Sequence, residues 1–168
     1  MTMNPKFPDW IGSLTTLAEC DGDTEKYIEI LYEIFKKDFI DSHPTFNNKP
    51  VLFDKALDGG KPNTFVHVTT ETDTITKSRV LSLRRCERIS WLRQIIDNNS
   101  DARVLVWTKE HYSRKRKTNR VCLYLECADY LVILDENKHG YYIITGIYVD
   151  YPYQKKRHLK EFEKFSNR

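Results

Sequence analysis

The residues best suited to chemistry are one histidine and a knot of arginines. His67 lies in the run Thr64-Phe65-Val66-His67-Val68-Thr69-Thr70, and further along stands Arg84-Arg85-Cys86-Glu87-Arg88-Ile89-Ser90-Trp91. Imidazole is the side chain best matched to moving a proton at neutral pH. The β-branched composition around His67 predicts a strand, with Phe65, Thr69 and Glu71 on its face and Glu71 able to orient the ring. The plainer alternative is a half-buried histidine hydrogen-bonded within the sheet. Arg84 and Arg88 stand four apart, on one side of a helix, and Arg85 lies about a quarter-turn away. Planar guanidinium forks suit a phosphate or a carboxylate. Three arginines without a lysine favour such recognition, although a solvated face laced with ion pairs through Glu87 would read similarly. Trp91 offers a base-stacking platform or an ordinary core side chain.

Two further groups extend this set. Arg114-Lys115-Arg116-Lys117 falls in a connection between two predicted strands, with Arg120 just beyond. Consecutive cations at a hairpin tip suit a nucleic-acid backbone, and equally suit a polar turn that blunts a strand pair. The segment Tyr141-Tyr142-Ile143-Ile144-Thr145-Gly146-Ile147-Tyr148 reads as a strand interrupted by glycine. A regular strand puts Thr145 and Tyr148 on opposite faces. A bulge at Gly146 would bring both hydroxyls to one side.

Other chemistries find no support. The chain has no glycine-rich nucleotide loop and no His-Glu-x-x-His. Its five histidines are scattered and its four cysteines form no metal-binding spacing. No metal and no cofactor are expected. The cysteine pattern fits reduced thiols and a cytoplasmic setting. Residues 1–20 lack a basic segment leading into an apolar run, and no apolar stretch is long enough for a membrane span. Net charge is only +3, which by itself does not argue for nucleic acid. Its distribution does more, because the stretches Lys77–Arg120 and Lys155–Arg168 are basic while residues 1–75 are acid-rich.

The elements that must position these groups follow from periodicity. The first 22 residues suggest at most a short helix through Trp10, Ile11, Leu14 and Leu17. Asp23 or Thr24 caps a helix whose apolar positions run from Tyr27 to Phe39, ended by His43-Pro44. A short strand, Val51–Lys55, lies within a loop region before the run around His67. A second helix runs through Val80, Leu83, Cys86, Ile89, Leu92 and Ile96. Period-two strands follow at Arg103–Thr108, Arg120–Glu126, Tyr130–Leu134 and Tyr141–Val149, with a hairpin turn at Asn137–Gly140. Gln154–Phe165 forms a last helix with Leu159, Phe162 and Phe165 on one side. The expected fold is α+β: helices packed on one face of an antiparallel sheet of four to six strands, closing in a β-meander. At 168 residues the chain reads as a single domain, a helical N-terminal part over 1–45 joined to a sheet-containing, nuclease-like core over 50–165.

Several segments resemble a family of small bacterial and phage-borne proteins: Phe65-Val66-His67-Val68-Thr69, Arg84-Arg85-Cys86-Glu87-Arg88-Ile89-Ser90-Trp91, Val106-Trp107, Tyr142–Tyr148, and a basic helix reaching Lys160-Glu161-Phe162. The arginine-rich segment is the most specific. The layout is similar to the barnase–EndoU–colicin–RelE-like nuclease superfamily. The resemblance implies metal-independent RNA cleavage, often as a toxin, with an antitoxin or immunity protein as partner. It implies roles for His67 and Thr145 in the site, with Arg84 and Arg88 holding the phosphate. Ile147 departs from the family's closing strand and leaves the role of Tyr148 open.

The expectation that follows is an endoribonuclease in which the 2′-hydroxyl of RNA attacks the adjacent phosphate. His67 would move the proton, Arg84 and Arg88 would hold the phosphate, and Thr145 or Tyr148 would support its oxygens. Arg85, Arg120 and Arg114, Lys115, Arg116 and Lys117 would bind the rest of the RNA. Two other readings use the same residues differently. One is a non-catalytic nucleic-acid-binding domain. The other is a protein-interaction module of a phage or toxin system, with an exposed aromatic patch from Tyr141, Tyr151 and Tyr153.

Overall fold

The computed structural model describes residues 7–166, and within them the chain is α+β. Residues 7–16 carry no regular element, so the short helix expected through Trp10, Ile11, Leu14 and Leu17 is replaced by a single 3-10 turn at Leu17–Cys20. Helix α1 (Thr24–Phe35) begins where Asp23 accepts a hydrogen bond from the Lys26 amide at 3.1 Å, an N-cap that satisfies one of the orphan donors of the first turn. Tyr27, Leu31 and Phe35 recur every four residues and are fully buried; each such side chain is worth about 1.5–3 kcal/mol when removed from water. The helix runs into a wider π turn, Lys36–Ile40, before the chain reaches Pro44.

The short strands β1 (Thr45–Phe46) and β2 (Lys49–Leu52) lead through a small hairpin, β3 (Leu57–Asp58) and β4 (Lys61–Pro62), into helix α2 (Asn63–Thr69). This overturns the strand expected around His67. Thr64, Phe65, Val68 and Thr69 are the buried positions, a helical rather than an alternating pattern. The β-branched threonines accommodate the helix by bonding backward: Thr69 Oγ1 donates to the Phe65 carbonyl at 2.8 Å and Thr70 Oγ1 to that of Val66 at 2.5 Å. Packing of that stripe against the sheet outweighs a propensity that is only a weak prior.

A second hairpin, β5 (Thr70–Thr72) and β6 (Arg79–Leu81), takes Val80 out of the predicted second helix. The remainder of that helix is split at Arg88 into α3 (Leu83–Glu87) and α4 (Ile89–Asp97). Then come the long strands β7 (Val104–Ser113), β8 (Arg116–Leu125), β9 (Tyr130–Asn137) and β10 (Gly140–Tyr148), and finally helix α5 (Pro152–Ser166).

The main sheet has the order β1-β2-β10-β9-β8-β7. The meander is antiparallel as expected, but β2 lies parallel to β10, with Tyr141 opposite Val51 and Tyr142 opposite Leu52, so the sheet is mixed. Parallel partners need a long crossover, and α2 through β9 supply it. Helices also cover both faces, and the chain ends on one of them rather than on the meander. Val121–Leu125 is buried without interruption, which calls for apolar cover on each side. On the inner face Leu123, Leu125, Val132 and Leu134 meet the helices that precede the meander. On the outer face Trp107, Cys122, Tyr124 and Leu131 meet Leu159, Phe162 and Phe165 of α5. Cys127 falls in a 3-10 turn after β8, not on a strand, and all four cysteines are free thiols. Among the described residues, no helix is long and apolar enough to cross a membrane.

Candidate functional site

His67 stands on the solvent side of α2, exposed, near the end of the helix. The carbonyls that close this helix are held by two arginines. Arg79 Nη2 donates to Thr70 O at 2.8 Å and to His67 O at 3.3 Å. Arg85 Nη1 donates to the same two oxygens at 2.8 and 3.2 Å. Cations at a helix C-terminus also complement its dipole. The consequence is a pair of positive charges beside the imidazole. Partial burial and then the charges of Arg79 and Arg85 push the His67 pKa below its ordinary value, with Asp54 pulling the other way. Both effects disfavour the charged form of the ring. Glu71, expected to orient it, acts on Arg85 instead.

A cleft of about 230 Å³ opens beside this ring, lined by Asp54, Asp58, Asn63, Val66, His67 and Arg79. Asp54 is held in place by the Ala56 amide at 3.0 Å and by Asn63 Nδ2 at 3.1 Å. Arg79, Asp54, Asp58 and Asn63 were not foreseen as site residues. Asn63 stands one turn before His67 on α2, Asp54 and Asp58 come from the segment leading into that helix, and Arg79 comes from the β5–β6 hairpin, none of which leaves a clear signal in composition.

The other predicted residues divide between the two faces of the sheet. Arg84, Arg88 and Tyr148 do meet on the inner face. The Arg88 guanidinium lies 4.1 Å and that of Arg84 5.1 Å from the Tyr148 ring centroid. Their accessibility differs. Arg84 is exposed, whereas Arg88 is only 8% exposed, donates to the Arg84 carbonyl at 2.8 Å, pairs with Glu87 at 3.4 Å and lies over Trp91. Arg88 is thus a packed side chain and not a phosphate ligand. Trp91 is 2% exposed, donates to Gly12 O at 2.9 Å and packs edge-on against Tyr130, which makes it core rather than a base platform.

Thr145 does not join them. The bulge lies at Ile144, between Ile143 and Thr145, and not at Gly146. Beyond it Thr145 opposes Ile133 on the outer face, while Tyr148 opposes Tyr130 on the inner one. Gly146 has a different purpose: a Cβ there would run into the Tyr130 hydroxyl and Leu92. The hydroxyl of Tyr130 and Nε of Arg88 are both buried without a hydrogen-bond partner.

Arg120 is on the outer face, opposite Lys109 and Asp135, with its Nε 4.0 Å from the Asp135 carboxylate. The basic tip is tighter than expected, because β7 and β8 continue to Ser113 and Arg116 and leave only Arg114 and Lys115 in the turn. Arg116 reaches Asp135 at 3.7 Å and Lys117 reaches Glu110 at 2.7 Å. Of the proposed aromatic patch, Tyr141 is buried, while Tyr151 and Tyr153 are exposed and stacked 5.7 Å apart. Among the described residues, no group of three or more His, Cys, Asp or Glu side chains is placed to hold a metal ion.

Nothing among protein-family models, curated proteins or solved structures matches this chain. The arrangement of its own side chains therefore carries the functional reading.

Proposed function

We propose that this protein is an endoribonuclease that cuts RNA without a metal, centred on His67. The observation that carries the reading is an exposed imidazole in the wall of a cleft, beside Arg79 and with the charge of Arg85 close by. RNA brings its own nucleophile. His67 takes the proton from the 2′-hydroxyl as that oxygen attacks phosphorus. The bond to the 5′-oxygen breaks, the departing oxygen takes up a proton, and a 2′,3′-cyclic phosphate remains. Arg79 faces the cleft, and Arg85 spends only Nη1 on the helix carbonyls. Arg79, in the cleft wall, stands where charge on the phosphate would develop, which is the larger contribution in reactions of this kind, and Arg85 adds positive charge from outside that lining. Arg84, exposed against Tyr148, extends the cationic surface. Compared with the set expected from the sequence, this site gains Arg79 and gives up Arg88 and Thr145. The toxin assignment, with an antitoxin or immunity protein as partner, rests on the sequence resemblance alone.

Purified protein incubated with total RNA in EDTA tests the proposal. Wild type should produce discrete fragments, and His67→Ala should be slower by about 10²–10⁴-fold, the usual worth of a positioned acid–base group. Equal rates in the two proteins would remove His67 from the reaction. Intact RNA with wild type would remove the enzyme reading altogether.

A second reading, binding without cleavage, is favoured by one observation. The basic hairpin tip, Arg120 and α5 belong to the outer face, across the sheet from His67. In that case oligonucleotides bind in a salt-dependent way and are recovered whole.

A further inference from the structure

A strongly basic surface lies away from the His67 cleft. A groove of about 550 Å³ runs between α5 and β7 on the outer face. Lys156, Lys160 and Lys164 line it and are exposed. They stand four residues apart, so they form one row along the helix at intervals of about 6 Å. Lys155, on another side of the helix, is paired with Asp129 at 2.9 Å. The groove also contains two carboxylates, and both are engaged. Glu161 accepts from Lys109 at 2.8 Å and from Trp107 Nε1 at 3.3 Å, and Glu110 pairs with Lys117 at 2.7 Å. The row of lysines therefore dominates the local field.

At the upstream end of the row stands Tyr153, 65% exposed and stacked on Tyr151 with the rings 19° from parallel. Exposed aromatic rings beside a cationic row suit an unpaired base, whose flat face is available only in a single strand. A duplex keeps its bases stacked on one another. A membrane surface fits less well. A basic helix enters a bilayer by its apolar face, and the apolar face of α5, Leu159, Phe162 and Phe165, is packed on the sheet around Trp107.

We propose that the groove between α5 and β7 is a track for single-stranded RNA, with phosphates along Lys156, Lys160 and Lys164 and a base on Tyr153. This rests on the reading of RNA as the substrate, but it concerns a separate surface. His67 and the track lie on opposite faces of the sheet, so binding and cleavage can be disrupted independently.

The test uses a single-stranded RNA oligonucleotide made uncleavable by 2′-O-methylation, and its duplex, in fluorescence anisotropy at several salt concentrations. Wild type should prefer the single strand. The triple variant Lys156→Glu, Lys160→Glu, Lys164→Glu should bind it at least tenfold more weakly. Its log–log salt slope should be shallower by about 2, since each lost phosphate contact contributes roughly 0.7. Tyr153→Ala should weaken single-strand binding several-fold and keep the salt slope. Circular dichroism confirms that each variant is folded, and Lys→Gln replacements at the same three positions serve if the charge reversal unfolds the chain. The track is refuted if the folded lysine variants bind as wild type does, if wild type prefers the duplex, or if it binds anionic vesicles or acidic peptides and ignores the oligonucleotide. Loss of cleavage of ordinary RNA with lysine-dependent binding intact would refute the nuclease reading and leave the track standing.

Discussion

Arg79 and Arg85 close α2 by its last carbonyls, and the same contacts place two positive charges next to His67. A protonated imidazole would add a third. Removing one guanidinium should therefore let the ring accept a proton more readily. In Arg79→Gln the imidazole pKa, followed by NMR of the ring protons, should rise toward the ordinary histidine value near 6.5. An unchanged value would mean that burial alone sets it. The sign extends to activity. A base must be unprotonated, so cleavage by wild type should rise with pH through the lowered pKa of His67 and then level off. At this scale the sequence was informative about residue type and poor about neighbours. His67 is exposed on a helix where a strand position was expected, and the charged group beside it is Arg79, from a hairpin, and not Glu71. Arg84 and Arg88 meet over Tyr148 although the helix breaks at Arg88, yet one is exposed and the other is packed between Tyr148 and Trp91. Spacing along a helix does not say what lies opposite.

Elements bounded by strong local signals were legible, and those decided by packing were not. The Asp23 cap, the Asn137–Gly140 turn and the apolar stripe of α5 all act as their residues suggest. α2 was misread because its threonines and valines are strand formers that the tertiary stripe overrides. The face of Thr145 was misread because a bulge two residues earlier than expected reverses everything after it. Gly146 marks a close approach instead, so Gly146→Ala should destabilise the fold by about 1–3 kcal/mol, as overpacking does. Denaturant unfolding measures this, and an unshifted midpoint would show that the Tyr130 hydroxyl gives way freely. On the other face, His158 of α5 packs on Trp107 and Tyr124, with Nδ1 buried and unpartnered. Burial, then Arg157, depress its pKa, Lys109 adds to this, and Glu161 opposes it. A depressed histidine contributes stability above its unfolded pKa and loses it as pH falls. Between pH 7.5 and 5 the α5 amides should exchange faster with deuterium in wild type than in His158→Gln. Equal acceleration in both would place the acid sensitivity elsewhere.

Across the whole molecule, a mixed sheet separates two regions. One is a cleft in which Asp54 and Asp58 stand beside His67 and Arg79, and the other is a lysine-lined helix face beside a long hairpin. The fold class and the meander could be read from periodicity. The parallel seam between β2 and β10 could not, because it joins segments far apart along the chain, and it was this seam together with the α5 cover that set which residues share a face. The central claim is that RNA is cut by its own 2′-oxygen at His67. An oligoribonucleotide in EDTA, compared with the same sequence carrying 2′-deoxyribose at the cleaved position, tests it most directly by mass spectrometry of the products. A fragment ending in a 2′,3′-cyclic phosphate is expected from the first and no cut at the deoxy position in the second. Cleavage that persists at the deoxy position, or a first oligonucleotide recovered whole, would contradict it.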